Sequence, residues 1–199
     1  MSLSFLFYRV LIDPLLNGLR KSIRSQIVQG SSCLDIACGT GSLVFELKDR
    51  CKSVTGIDLD EPKIMEAQRI VEVKGLDHLS FRVMDATNLS EFKEKQFDYV
   101  TMAMAIHQFD PELRKSILSE ALRVSKNLIV ADYAFPLPSS PSGWMARFIE
   151  SIAGEEHSRN FKHYDANSGM EPILKSMGLS YKLAEKRGAG VFSVYVISF

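Results

Sequence analysis

Three acids stand at the ends of three successive apolar runs: Asp35 in "LDIACGTG", Asp58 in "VTGIDLD" and Asp85 in "VMDATNL". Gly39 and Gly41 follow the first of them. Glycines at such a turn let the backbone approach a ligand closely. The helix start behind them offers N–H groups with no intrahelical partner. An acid about 20 residues past a glycine turn can accept both hydroxyls of a ribose. These residues therefore describe a nucleoside site. A dinucleotide would call for a third small residue where this chain has Val44, and its pyrophosphate would meet Asp35. The acids suit a nucleoside that carries a positive charge.

The elements that must hold these residues alternate. Short apolar runs at 32–38, 52–59, 79–85, 97–105 and 127–135 read as strands. Segments at 41–49 and 60–75 read as helices, the second with Asp60 as a cap, Pro62 in its first turn and Gly75 as its stop. "DPELRKSILSEALRVSK" has a cap in Asp110, Pro111 at the first helical position and Leu113, Ile117, Ala121 and Val124 on one face. "WMARFIESIAG" places Trp144, Phe148 and Ile152 at helical spacing, and a last helix ends at Gly178. Strands near 180–187 and 190–199 meet at "RGAG", a hairpin turn. Alternating strands and helices imply right-handed crossovers and a parallel sheet covered on both faces. The final pair has no helix between its members, so an edge strand is expected to run against the rest. The fold class is α/β: a Rossmann-like, doubly wound seven-stranded sheet, mostly parallel.

The quoted motifs resemble those of class I S-adenosylmethionine-dependent methyltransferases. "LDIACGTG" is similar to their first motif, acid-x-G-x-G-x-G, with Ala37 in place of the first glycine. "VTGIDLD" resembles the second and "VMDATNL" the third, while "FDYVTMAMAIHQF" resembles the fourth strand and the loop that faces the substrate. The likeness covers residues 32 to about 135 and is greatest to the small-molecule branch, similar to ubiquinone and menaquinone methyltransferases. It implies S-adenosylmethionine as cofactor, S-adenosylhomocysteine as product, and in-line attack on the methyl carbon by a substrate nucleophile. It implies cofactor contacts at Asp35, Ala37, Cys38, Gly39, Gly41, Asp58, Leu59, Asp85, Ala86 and Ala103. Among these, Asp58 would hold the ribose diol, Asp85 the adenine amine and the backbone at Ala86 the ring.

On the acceptor side, His107 follows the fourth strand and is the candidate catalytic base or orienting group. Tyr133 follows the fifth strand, beside Asp132. "EEHSRNFKHYD" at 155–165 gathers His157, Asn160, His163 and Tyr164 in a link far longer than the usual 2–6 residues, as binding loops and lids are. These residues, with Tyr8 from the N-terminal arm, are the candidate substrate contacts. An enclosed cavity between His107, Tyr133 and the 155–165 segment is expected of a catalyst. His157 and His163 lack a nearby cysteine or matched acid pair, so no metal is expected. Cys33, Cys38 and Cys51 read as small core residues rather than as groups for thiol chemistry.

A chain of 199 residues is expected to form one domain, with a helical arm at 1–30 and a substrate cap at 136–167. Lys plus Arg and Asp plus Glu balance at 24 each, which argues against a broad nucleic-acid footprint. Asp13 and Pro14 interrupt the apolar N-terminal stretch, which reads as an amphipathic arm rather than a leader or membrane span. Three cysteines without a leader point to the cytoplasm. The reading is methyl transfer to a small molecule. The alternatives are an NAD(P)-dependent oxidoreductase, disfavoured by Val44 and the final hairpin, and a non-catalytic S-adenosylmethionine-binding regulatory module.

Overall fold

In the computed structural model, residues 13–198 are described. Tyr8 and the first part of the arm lie outside them. The rest of the arm forms α1 (Asp13–Gln26), whose Leu19 and Ile23, one turn apart, are buried. It packs on the sheet through the last three strands. The first βα unit is β1 (Ser31–Ile36) and the short α2 (Ser42–Glu46). Then come β2 (Cys51–Asp58), α3 (Glu61–Lys74) and β3 (Leu79–Val83). β4 (Tyr99–Ala103), α4 (Arg114–Val124) and β5 (Leu128–Tyr133) complete the parallel part. Two helices, α5 (Pro141–Ile152) and α6 (Glu155–Ala166), follow. α7 (Met170–Ser176), β6 (Ser180–Arg187) and β7 (Phe192–Ser198) end the chain.

The seven strands lie in the order β3-β2-β1-β4-β5-β7-β6. The strand order reverses between β1 and β4, the switch point where open α/β sheets bind ligands. β7 is antiparallel to both β5 and β6. The reversed strand is the last one, in the edge region as expected, and it lies one place inside the edge. β6 takes the edge, mostly exposed, whereas β7 is largely buried. The hairpin turn forces reversal between the two but leaves open which of them docks on β5. The more apolar strand takes the inner place because it removes more surface from water.

Local signals explain most helix boundaries. Asp60 accepts from the Lys63 N–H at 3.2 Å, and Gly75 ends α3 at φ 60°. α4 starts later than its sequence suggests: Asp110 accepts from the Glu112 N–H at 2.9 Å and closes a separate turn, and the helix begins at Arg114. In α5 the expected apolar stripe is present but faces outward, with Trp144, Phe148 and Ile152 each more than half exposed. The opposite face, Gly143, Ala146 and Glu150, is buried. Gly143 sits against the Pro138 carbonyl, so a side chain there would not fit. Residues 155–165 are not a loop. They form α6, with Ser158, Asn160, Phe161 and Tyr164 buried. No helix among the described residues is long and apolar enough to cross a membrane.

Candidate active site

The carboxyl end of the sheet brings the glycine turn and the three acids together. Ala37 leaves β1 at φ 55°, in the left-handed region where a glycine is at ease. The Cys38 N–H donates to the Ile57 carbonyl at 3.0 Å, and the Gly39 N–H donates to Asp58 Oδ2 at 2.7 Å. The Asp60 N–H donates to Asp58 Oδ1 at 3.0 Å. Asp58 thus pins the turn after β1 to the end of β2. Gly41, at φ 81°, sits where the Phe81 ring would meet any added Cβ, so its lack of a side chain serves packing. Gly39 differs: no atom lies within 4 Å of where its Cβ would be, and the turn is open there.

The acids reach the same end at staggered depths. Asp35 pairs with Gly56 across β1–β2, two residues short of Asp58, and is almost fully buried. Thr101 Oγ1 donates to it at 2.7 Å. Burial, followed at a distance by the Asp58 charge, pushes the Asp35 carboxyl up to about 7 despite that hydrogen bond. Asp85 lies two residues past the end of β3 and is exposed. Its Oδ1 accepts from the Thr87 N–H and hydroxyl, both at 2.8 Å. Leu59, beside Asp58, is an apolar side chain 69% exposed on this rim. Ala86 and Ala103 are half-buried. Burial and the Asp35 and Asp58 charges push the Cys38 thiol well up, so it stays protonated. Cys33 and Cys51 are buried, consistent with core roles.

The acceptor-side residues also come together, but as a packed cluster. His107 is fully buried. Its Nδ1 pairs with Asp132 Oδ1 at 2.6 Å, and its backbone N–H donates to Asp132 Oδ2 at 3.2 Å. Its ring lies 4.9 Å from Tyr133, 5.5 Å from His157, 6.1 Å from Phe161 and 6.4 Å from Tyr164, between centroids. The enclosed cavity expected between His107, Tyr133 and residues 155–165 is therefore filled by side chains. Burial alone would lower the His107 pKa, but the facing Asp132 and then Glu150 carboxylates outweigh it and raise it.

Two members of this cluster escape sequence reasoning. Glu150, inward on α5, accepts from the Tyr133 hydroxyl at 2.7 Å and pairs with His157 Nε2. Arg114, at the start of α4, donates to the Asn160 carbonyl at 2.8 Å and the Phe109 carbonyl at 3.1 Å. Asn160 in turn donates to the Gln108 carbonyl at 2.8 Å. Neither charge is marked by the apolar period of its helix, and only the tertiary packing turns both inward. His163 does not join His157. Six residues apart on α6, they point in different directions, and His163 is exposed beside Arg114 and Asn167.

A sheet with its switch point at a glycine turn, ringed by acids, defines a Rossmann-like nucleoside-binding domain. The family described as "Methyltransferase domain" matches residues 33–127. That segment is a methyltransferase domain of the class I, S-adenosylmethionine-dependent kind, as the motifs around Asp35, Asp58 and Asp85 imply. The chain is 35% identical over 98 residues to a ubiquinone biosynthesis O-methyltransferase of Pseudomonas entomophila, covering 49% of this chain and 40% of that one. It is 34% identical over 113 residues to a demethylmenaquinone methyltransferase of Thermus thermophilus, covering 55% and 49%. The match thus spans less than half the length of either relative. A methyltransferase structure from Aquifex aeolicus shares the fold, with a TM-score of 0.66 at 17% identity over 90% of this chain and 89% of that one.

Proposed function

We propose that the protein transfers the methyl group of S-adenosylmethionine to a small-molecule acceptor in the cytoplasm, releasing S-adenosylhomocysteine. The observation that carries this reading is the Gly39–Asp58 tie beneath an open turn. The cofactor would supply an activated methyl group on a positively charged sulfur. Asp58 would take the ribose hydroxyls, Asp85 the adenine amine, and Leu59 would pack on the nucleoside. Asp35 lies buried behind the turn, held by the Thr101 hydroxyl. With a good leaving group built into the cofactor, alignment supplies much of the rate. The three free cysteines support the reducing compartment. The names of the two relatives make hydroxylated aromatic rings of the quinol type the first acceptors to try.

Calorimetric titration with S-adenosylmethionine and, separately, with NAD and NADP tests the cofactor. Binding of the first alone supports the reading; binding of a nicotinamide cofactor instead overturns it. Transfer of a labelled methyl group to a hydroxylated aromatic ring then tests the reaction.

The filled space around His107 favours a second reading for the same domain. With α5 and α6 seated as they are, no acceptor reaches His107. Tyr133, His157, Asn160 and Tyr164 would then act as packing that holds the helical pair, and the domain would bind S-adenosylmethionine without turnover. Opening of α5 and α6 on cofactor binding separates the two. Hydrogen exchange in residues 141–166 that accelerates with bound cofactor supports catalysis beneath a moving cap, and slowed exchange supports the regulatory module.

A further inference from the structure

The packed cluster leaves one atom unexplained. His107 Nε2 is buried and has no hydrogen-bond partner, although His107 Nδ1 is firmly held by Asp132. Two further donor groups face it. Glu150 Oε2 is 3.7 Å away, too far for a hydrogen bond. His157 Nε2 meets that same oxygen from α6. One ligand atom from each of His107, Glu150 and His157 lies within 4.8 Å of the others. They come from three elements: the turn after β4, α5 and α6.

We propose that His107 Nε2, Glu150 Oε2 and His157 Nε2 form a binding site for one divalent transition-metal ion, with zinc the best fit. Two imidazoles and a carboxylate form an established three-ligand set for zinc with a fourth position open. Such a set disfavours magnesium and calcium, which prefer oxygen alone. The surroundings supply what a metal-binding histidine needs. The Asp132 carboxylate fixes the His107 tautomer with Nδ1 as donor, leaving the Nε2 lone pair for the ion. The Tyr133 hydroxyl holds Glu150 Oε1 at 2.7 Å, which leaves Oε2 as the ligand. The bound ion would clamp α5 and α6 onto the sheet between β4 and β5. Sequence spacing hides the site, because Glu150 and His157 stand on different helices and the obvious histidine pair, His157 and His163, diverges.

The full chain is stripped with a chelator and titrated with zinc, with bound metal counted by elemental analysis and cobalt used for its visible absorption. One ion per chain at micromolar affinity or tighter, with cobalt showing tetrahedral absorption, is expected. His157→Ala and Glu150→Gln should each weaken binding by about tenfold or more. His78→Ala, which removes an exposed histidine elsewhere, should leave it unchanged. Failure of the wild type to bind zinc or cobalt stoichiometrically overturns the proposal, as does binding by both cluster variants at wild-type strength. Should Glu150→Gln not fold, His157→Ala, at a side chain one quarter exposed, decides alone. The titration contains no nucleoside, so its outcome is independent of whether methyl transfer is correct.

Discussion

Asp58 accepts the Gly39 N–H at 2.7 Å, so the acid that would hold the ribose also shapes the turn beneath it. Replacing it removes both functions. Asp58→Ala is expected to weaken S-adenosylmethionine binding by about 1–3 kcal/mol, the scale of buried hydrogen bonds left unmade. Calorimetry reads this directly, and wild-type affinity in the variant would remove Asp58 from the site.

Asp35 gives the fold an unusual pH dependence. Its folded carboxyl titrates near 7, raised chiefly by burial, while the unfolded chain loses that proton near the ordinary aspartate value. Between those values the folded state holds a proton that the unfolded state has released. This contribution to stability is therefore largest below about pH 4 and declines as pH rises towards 7. Asp35→Asn keeps an oxygen for Thr101 and carries no charge, so it should lose this decline and be the more stable protein at pH 8. Urea unfolding of both proteins from pH 4 to 8 checks the prediction; parallel curves would contradict it.

Ala37 stands at φ 55°, where a Cβ is crowded by its own backbone. Ala37→Gly is expected to stabilise the fold by about 1 kcal/mol, the cost of a left-handed alanine, partly offset by the freer unfolded chain. A shift of the denaturant midpoint to higher concentration with unchanged slope is the expected result. A fall in stability would show that the alanine methyl makes contacts worth more than the strain.

His107 and Asp132 form a buried pair, and removing one partner strands the other. His107→Ala should cost about 3–5 kcal/mol of stability, as in other broken buried pairs. Cofactor affinity of the folded fraction should be little changed, because the glycine turn and its acids make no contact with this cluster's hydrogen bonds. A double-mutant cycle with Asp132→Ala measures the coupling. Independent, additive losses would dissolve the pair. Turnover that survives His107→Ala unchanged would take His107 out of the reaction.

The glycine turn and the placement of its acids were legible from sequence because their signals are local. A glycine turn after a strand and an acid at the end of the next strand are set by backbone geometry over a few residues. Asp35, Asp58 and Asp85 duly lie at one end of the sheet, though at different depths. The acceptor side was only half legible. His107, Tyr133, His157, Asn160 and Tyr164 do assemble, but a segment read as a loop proved to be a helix. Its buried positions at 158, 160, 161 and 164 carry a helical period that polar residues disguise. Likewise, the apolar period of Trp144, Phe148 and Ile152 marked a helix, but the face it defines is the exposed one. The small residues Gly143 and Ala146 allow the closer approach, and Glu150 finds partners inside.

The sequence by itself determined the sheet, its order of strands and helices, and the turn that a nucleoside would meet, because each follows from periodicity, turn chemistry and neighbours along the chain. Only the tertiary structure decided that β7 lies inside β6, and that His107 is buried against α5 and α6. It alone brought Glu150 to His107 and His157. Those outcomes depend on which faces remove the most surface from water and which buried polar groups find partners, and partners distant in sequence settle both.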